Sequence, residues 1–74
     1  MVKKIELSTW TVSDAKAFAI ADGCVEYRGI QLFSRAGWEE YEKDSRPGEF
    51  FIQTANRSFP ATDADIQAFI NRAL

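Results

Sequence analysis

The stretch Trp38-Glu39-Glu40-Tyr41-Glu42-Lys43-Asp44 decides how the rest of the chain is assembled. Read as a strand, it places Trp38, Glu40, Glu42 and Asp44 on one face and Glu39, Tyr41 and Lys43 on the other, because successive side chains alternate. Three carboxylates then stand in series, each roughly 6.6 Å from the next. Acidic residues are poor strand formers, so a strand that carries them implies a use for a negative stripe. With Trp38 as an aromatic anchor, that stripe suits a basic protein surface: charge speeds the encounter and the ring supplies contact area. The plainer account is a solvated edge strand kept from pairing with other chains by its charge.

The flanking segments read as turns. Ser34-Arg35-Ala36-Gly37 has glycine near its end, and Asp44-Ser45-Arg46-Pro47-Gly48 carries the Pro-Gly pair of a type II turn. Before them, Cys24-Val25-Glu26-Tyr27 begins a strand, Arg28-Gly29 interrupts it as a bulge or tight bend, and Ile30-Gln31-Leu32-Phe33 resumes it. After them, Glu49 to Thr54 reads as a further strand, Asn56-Arg57-Ser58 as a turn, and Phe59 as a residue tucked under the sheet.

Helices close the pattern at both ends. Thr62-Asp63-Ala64-Asp65 is a capping box, and Ile66, Phe69, Ile70 and Ala73 follow at i, i+3, i+4 and i+7, which predicts a helix from about residue 63 to the C-terminus. Thr11-Val12-Ser13-Asp14 is a second capping box, followed by alternating alanines and by Gly23 where a left-handed cap is wanted, which predicts a helix over about residues 12–22. The echo between residues 11–18 and 62–69 reflects two helices capped by the same chemistry. The first helix has apolar groups on two sides, since Ile20 points nearly opposite Phe18, and we expect it to lie between a sheet and the second helix. Val2 to Leu7 reads as a short first strand.

The order is therefore strand, helix, three-stranded meander, helix (β-α-β-β-β-α). The chain, residues 1–74, is expected to be a single α+β domain, an antiparallel sheet with two helices packed on one face. A chain of this length buries about 60% of its unfolded surface, so its core is marginal. One cysteine excludes an internal disulfide, and the lack of histidine or a cysteine cluster argues against structural zinc. Packing then falls to six Phe, two Trp and two Tyr. Phe50 and Phe51 are adjacent and face opposite ways. With one beneath the helices, the other, taken as Phe51, belongs on an outer face that no segment covers, next to Trp38 or Tyr41. Exposed aromatic patches of that kind mark partner surfaces.

Catalysis finds little support. Nucleophilic triads need an imidazole, and the chain has none. Neither a P-loop nor a dinucleotide glycine motif occurs. Glu39, Glu40, Glu42 and Asp44 lack the spacing of a calcium loop. We expect no metal, no cofactor and no enzymatic activity. The net charge of -2 and a sequence pI of about 5.0 disfavour a phosphate backbone as partner. The arginines at 28, 35, 46, 57 and 72 are dispersed, and we expect them to pair with nearby carboxylates. The lone cysteine fits a reducing compartment. Polar residues at 8–14 break any signal-like apolar run, so a cytoplasmic protein without membrane contact is expected.

The leading expectation is a non-enzymatic protein-binding module, an inhibitor or adaptor of the phage or mobile-element kind, docking on a basic surface of a larger protein. Its contact residues would be Trp38, Glu39, Glu40, Tyr41, Glu42, Asp44 and Phe51. The second is a homodimeric structural or accessory subunit that pairs through the Ile20 face or the sheet. A nucleic-acid-binding domain is third.

Overall fold

A computed structural model describes residues 10–43 and 46–73. The elements run α1 (Val12–Asp22), β1 (Cys24–Tyr27), β2 (Ile30–Ser34), α2 (Arg35–Glu42), β3 (Phe50–Gln53), β4 (Ser58–Pro60) and α3 (Asp63–Ile70). The four strands form one antiparallel sheet in chain order, so the domain is α+β. The strand expected at Val2–Leu7 lies outside the described residues. None of the described helices is long and apolar enough to cross a membrane.

Both capping boxes form. Thr11 Oγ1 accepts from Asp14 N and Asp14 accepts from Thr11 N; Thr62 and Asp65 do the same at α3. Gly23 closes α1 in the left-handed region, with φ of 85°. α1 and α3 lie on one face of the sheet. Leu32 and Ile52 project from that face and are buried with Ala15 and Ala19 of α1 and Ile66, Phe69 and Ile70 of α3. Val25, Leu32, Ile52 and Phe59 form one cross-strand row there, because register pairs each with the next. Lys16 joins the two helices by an ion pair to Asp63 at 2.7 Å.

Three expectations are corrected. Arg28-Gly29 does not bend one strand; it is the two-residue turn between β1 and β2, with φ of 55° and 82°. Two positive φ angles match the right-handed twist of a hairpin, which is the type I′ geometry. The turn expected at Asn56-Arg57-Ser58 falls between β3 and β4, closed by Thr54 N donating to the Arg57 carbonyl, but Phe59 does not merely tuck under the sheet: Ser58–Pro60 form a further strand, β4. Most consequentially, residues 35–42 are a helix. Ser34 caps it by accepting from Gly37 N at 3.1 Å, and Arg35 pairs with Glu39 one turn on. Glutamates are good helix formers and poor strand formers, so local preference and capping agree.

α2 covers the sheet face opposite α1 and α3. On a helix Trp38 and Tyr41 share a side, and both meet Phe33, with ring centroids 5.3 and 4.9 Å away. Trp38 also stacks on Phe51 at 4.9 Å with the rings 13° apart. Arg35 and Arg46 complete the packing, with guanidinium carbons 5.3 and 5.8 Å from the Phe51 ring centre. Arg46 also donates to Ser58 Oγ at 3.1 Å, fastening the segment after α2 to β4.

Candidate functional site

The structure redistributes the expected contact residues. Trp38 and Phe51 are fully buried, both at 0% exposure, so neither anchors a partner. The outer face assigned to Phe51 is the one α2 occupies, which is why no exposed aromatic patch forms around it. Asp44 lies outside the described residues. Glu39, Glu40, Tyr41 and Glu42 are exposed, with Tyr41 at 53%. The 3.6-residue period spreads the three glutamates around the helix, so they do not form the linear stripe expected of a strand.

What the fold gathers instead is a shallow notch where the end of α1, the start of β1 and the outer side of α2 meet. Asp22, Cys24, Phe33, Glu40 and Tyr41 line it. Gly23 and Gly37 hold the elements together: a Cβ at Gly37 would overlap the Gly23 carbonyl oxygen and lie 2.9 Å from its Cα. The Gly23 carbonyl also accepts from Ser34 N at 3.2 Å. The backbones therefore touch, and this contact sets the Asp22 and Glu40 carboxylates on two walls of one depression. Neither makes an ion pair among the described residues. Burial, with a smaller contribution from Glu26, pushes the Cys24 thiol above its ordinary range, so it is a neutral, weakly nucleophilic wall at pH 7.

Of these residues, sequence reasoning identified Glu40 and Tyr41 and missed Asp22 and Cys24. The signal for Asp22 was its place next to the Gly23 cap, but only the docking of α2 brings Glu40 to it. Among the described residues no group of three His, Cys, Asp or Glu side chains could hold a metal ion.

The arginines meet the expectation of pairing with nearby carboxylates only in part. Arg35 pairs with Glu39. Arg28, Arg57 and Arg72 form no ion pair among the described residues. Arg57 and Arg72 lie over aromatic rings instead, at 4.6 Å from the Phe59 centroid and 5.2 Å from that of Tyr27.

Fold and notch together define a small α+β domain with an acidic, aromatic-walled surface depression. No protein-family model, curated protein or solved structure matches the chain.

Proposed function

We propose that this chain is a non-enzymatic protein-binding module, an inhibitor or adaptor, that docks its acidic notch and the outer side of α2 on a basic surface of a larger protein. The observation that carries this reading is the pair of uncompensated carboxylates, Asp22 and Glu40, facing one depression beside exposed Tyr41. A lysine or arginine of the partner would enter between the carboxylates with its stem against Phe33 and its charge near the Tyr41 ring. Each exposed ion pair adds about 0–1 kcal/mol and the cation–ring contact about 0.5–1 kcal/mol. The charges thus serve encounter rate and selectivity more than affinity.

The test is capture from lysate at low and high salt with the native chain and with Asp22→Lys/Glu40→Lys. A stoichiometric partner held at low salt, released at high salt and lost with the double reversal supports the reading. Capture that is indifferent to salt, or unaffected by the reversal, refutes it.

A second reading, a homodimer, draws on α1. We expected this helix to be covered on both sides, but Ile20 is 66% exposed, and Ala17 and Ala21 beside it are exposed too. These residues fall at i, i+3 and i+4, an apolar stripe on the side away from the sheet. A dimer built on it would show twice the monomer mass in solution and revert to monomer with Ile20→Lys.

A further inference from the structure

In an up-and-down meander, alternate connections share an end. The β1–β2 turn, carrying Arg28, and the β3–β4 turn, carrying Arg57, therefore sit at the same edge of the molecule, away from the notch at the Cys24 end of β1. The two turns stand roughly 10 Å apart, twice the spacing of neighbouring strands. A groove runs between them, lined by Arg28, Ile30, Thr54, Asn56 and Arg57. A second groove adjoins it and shares Arg28 and Ile30, with Tyr27, Phe69 and Arg72 as its other walls. Arg57, Arg28 and Arg72 thus mark a line across two continuous grooves.

Three features of this line are unusual for a chain of net charge -2. All three arginines are exposed, and none has a carboxylate partner among the described residues. The acid closest in sequence to Arg28, Glu26, has the strand parity of Cys24 and so belongs to the α2 face. Two of the three also occupy left-handed backbone, with φ of 55° at Arg28 and 62° at Arg72. Glycine or asparagine would fit those positions with less strain, so keeping arginine there costs stability that the guanidinium does not recover through an ion pair among the described residues. Finally, Arg57 and Arg72 each back onto a ring, Phe59 and Tyr27, while both arginines remain exposed.

We infer that this arginine edge binds single-stranded nucleic acid through its phosphates. Guanidinium edges match phosphate oxygens two at a time, and the outer sides of the Arg57–Phe59 and Arg72–Tyr27 pairs offer planes for unstacked bases. A line of charge across two grooves fits an extended strand with successive phosphates better than one compact anion. The overall acidity does not oppose this, because a screened field acts over about 10 Å or less in physiological salt, and the acidic notch lies at the other end of the sheet. This surface is separate from the proposed protein-binding notch, so Asp22→Lys/Glu40→Lys leaves it intact and the two readings fail independently.

The test is fluorescence anisotropy of a labelled single-stranded oligoribonucleotide titrated with the full chain at several salt concentrations. Three phosphate contacts predict a log–log salt slope of about -2, so affinity falls about 20-fold between about 50 and 200 mM salt. Arg28→Gly is the decisive variant, since glycine suits the turn. It should raise the thermal midpoint while weakening binding about tenfold and flattening the slope by about 0.7. Arg57→Gln and Arg72→Gln should each weaken binding as well. Lack of salt-sensitive binding overturns the inference, as does binding that survives the triple substitution. Equal affinity for poly-glutamate, or binding of inorganic phosphate without the oligonucleotide, also overturns it.

Discussion

Replacing Gly37 by alanine should remove most of this protein's stability. The added methyl has no space, because its Cβ would overlap the Gly23 carbonyl oxygen and sit 2.7 Å from the carbonyl carbon. Overpacking costs about 1–3 kcal/mol when neighbouring side chains can shift. Here the obstacle is backbone, and it belongs to the left-handed cap of α1, which also accepts the Ser34 N–H. Relief requires moving α2 off α1, so the upper end applies, about 3 kcal/mol. A domain of this size holds about 3–5 kcal/mol in total. With about 4 kcal/mol to begin with, about 1 kcal/mol remains, and roughly one molecule in six is unfolded without denaturant. Urea unfolding followed by circular dichroism measures this directly. With a slope of about 1 kcal/mol per molar, the midpoint should fall by about 3 M. Gly29→Ala is the control: it carries the strain of a φ of 82°, which Gly37 lacks, yet nothing beyond its chain neighbours lies within 4 Å of the new Cβ. Strain alone should cost it about 1 kcal/mol. A Gly37→Ala midpoint within about 0.5 M of the native one would refute the close packing of α2 on the α1 cap.

Other outcomes follow from the same contacts. Trp38→Ala should cost about 3–5 kcal/mol in chemical denaturation, because the ring fills the space between α2, Phe33 and Phe51. Trp38→Phe should cost far less, since the buried indole N–H has no hydrogen-bond partner among the described residues and its removal relieves a desolvation penalty. Thr62→Ala removes the acceptor for Asp65 N and should cost about 1 kcal/mol, read as a lower thermal midpoint. Cys24 gives a pH dependence. Its thiol is raised in the folded state, so the folded chain holds the proton more tightly than the unfolded one. Stability should therefore be unaffected by this group below its ordinary range, near pH 8.5, and fall as pH climbs above it. Urea midpoints compared between the native chain and Cys24→Ala from neutral to alkaline pH should diverge in that direction.

Signals local to a few residues were legible in the sequence. Thr11/Asp14 and Thr62/Asp65 announced both helix starts, and Gly23 announced the end of α1, because caps involve groups three or four residues apart. Ile66, Phe69 and Ile70 identified the buried side of α3, since one packed face repeats with the helical period. The antiparallel, α+β character followed from short strands bounded by turns. Residues 35–42 misled because Trp38 and Tyr41 fit either alternation on a strand or one side of a helix. Ser34 as a cap and the run of glutamates favour the helix, while the Pro47-Gly48 turn fits the end of a strand equally well.

Only tertiary structure decided the rest. Once α2 folds across the second sheet face, Trp38 and Phe51 leave the surface and Asp22 meets Glu40, residues far apart in sequence. The same pairing of strands carries Arg28 and Arg57 to one edge. Sequence records what each segment prefers locally through hydrogen bonds and period, whereas a site made by several segments depends on which faces they bury against one another. That choice is settled by the summed packing of the whole chain.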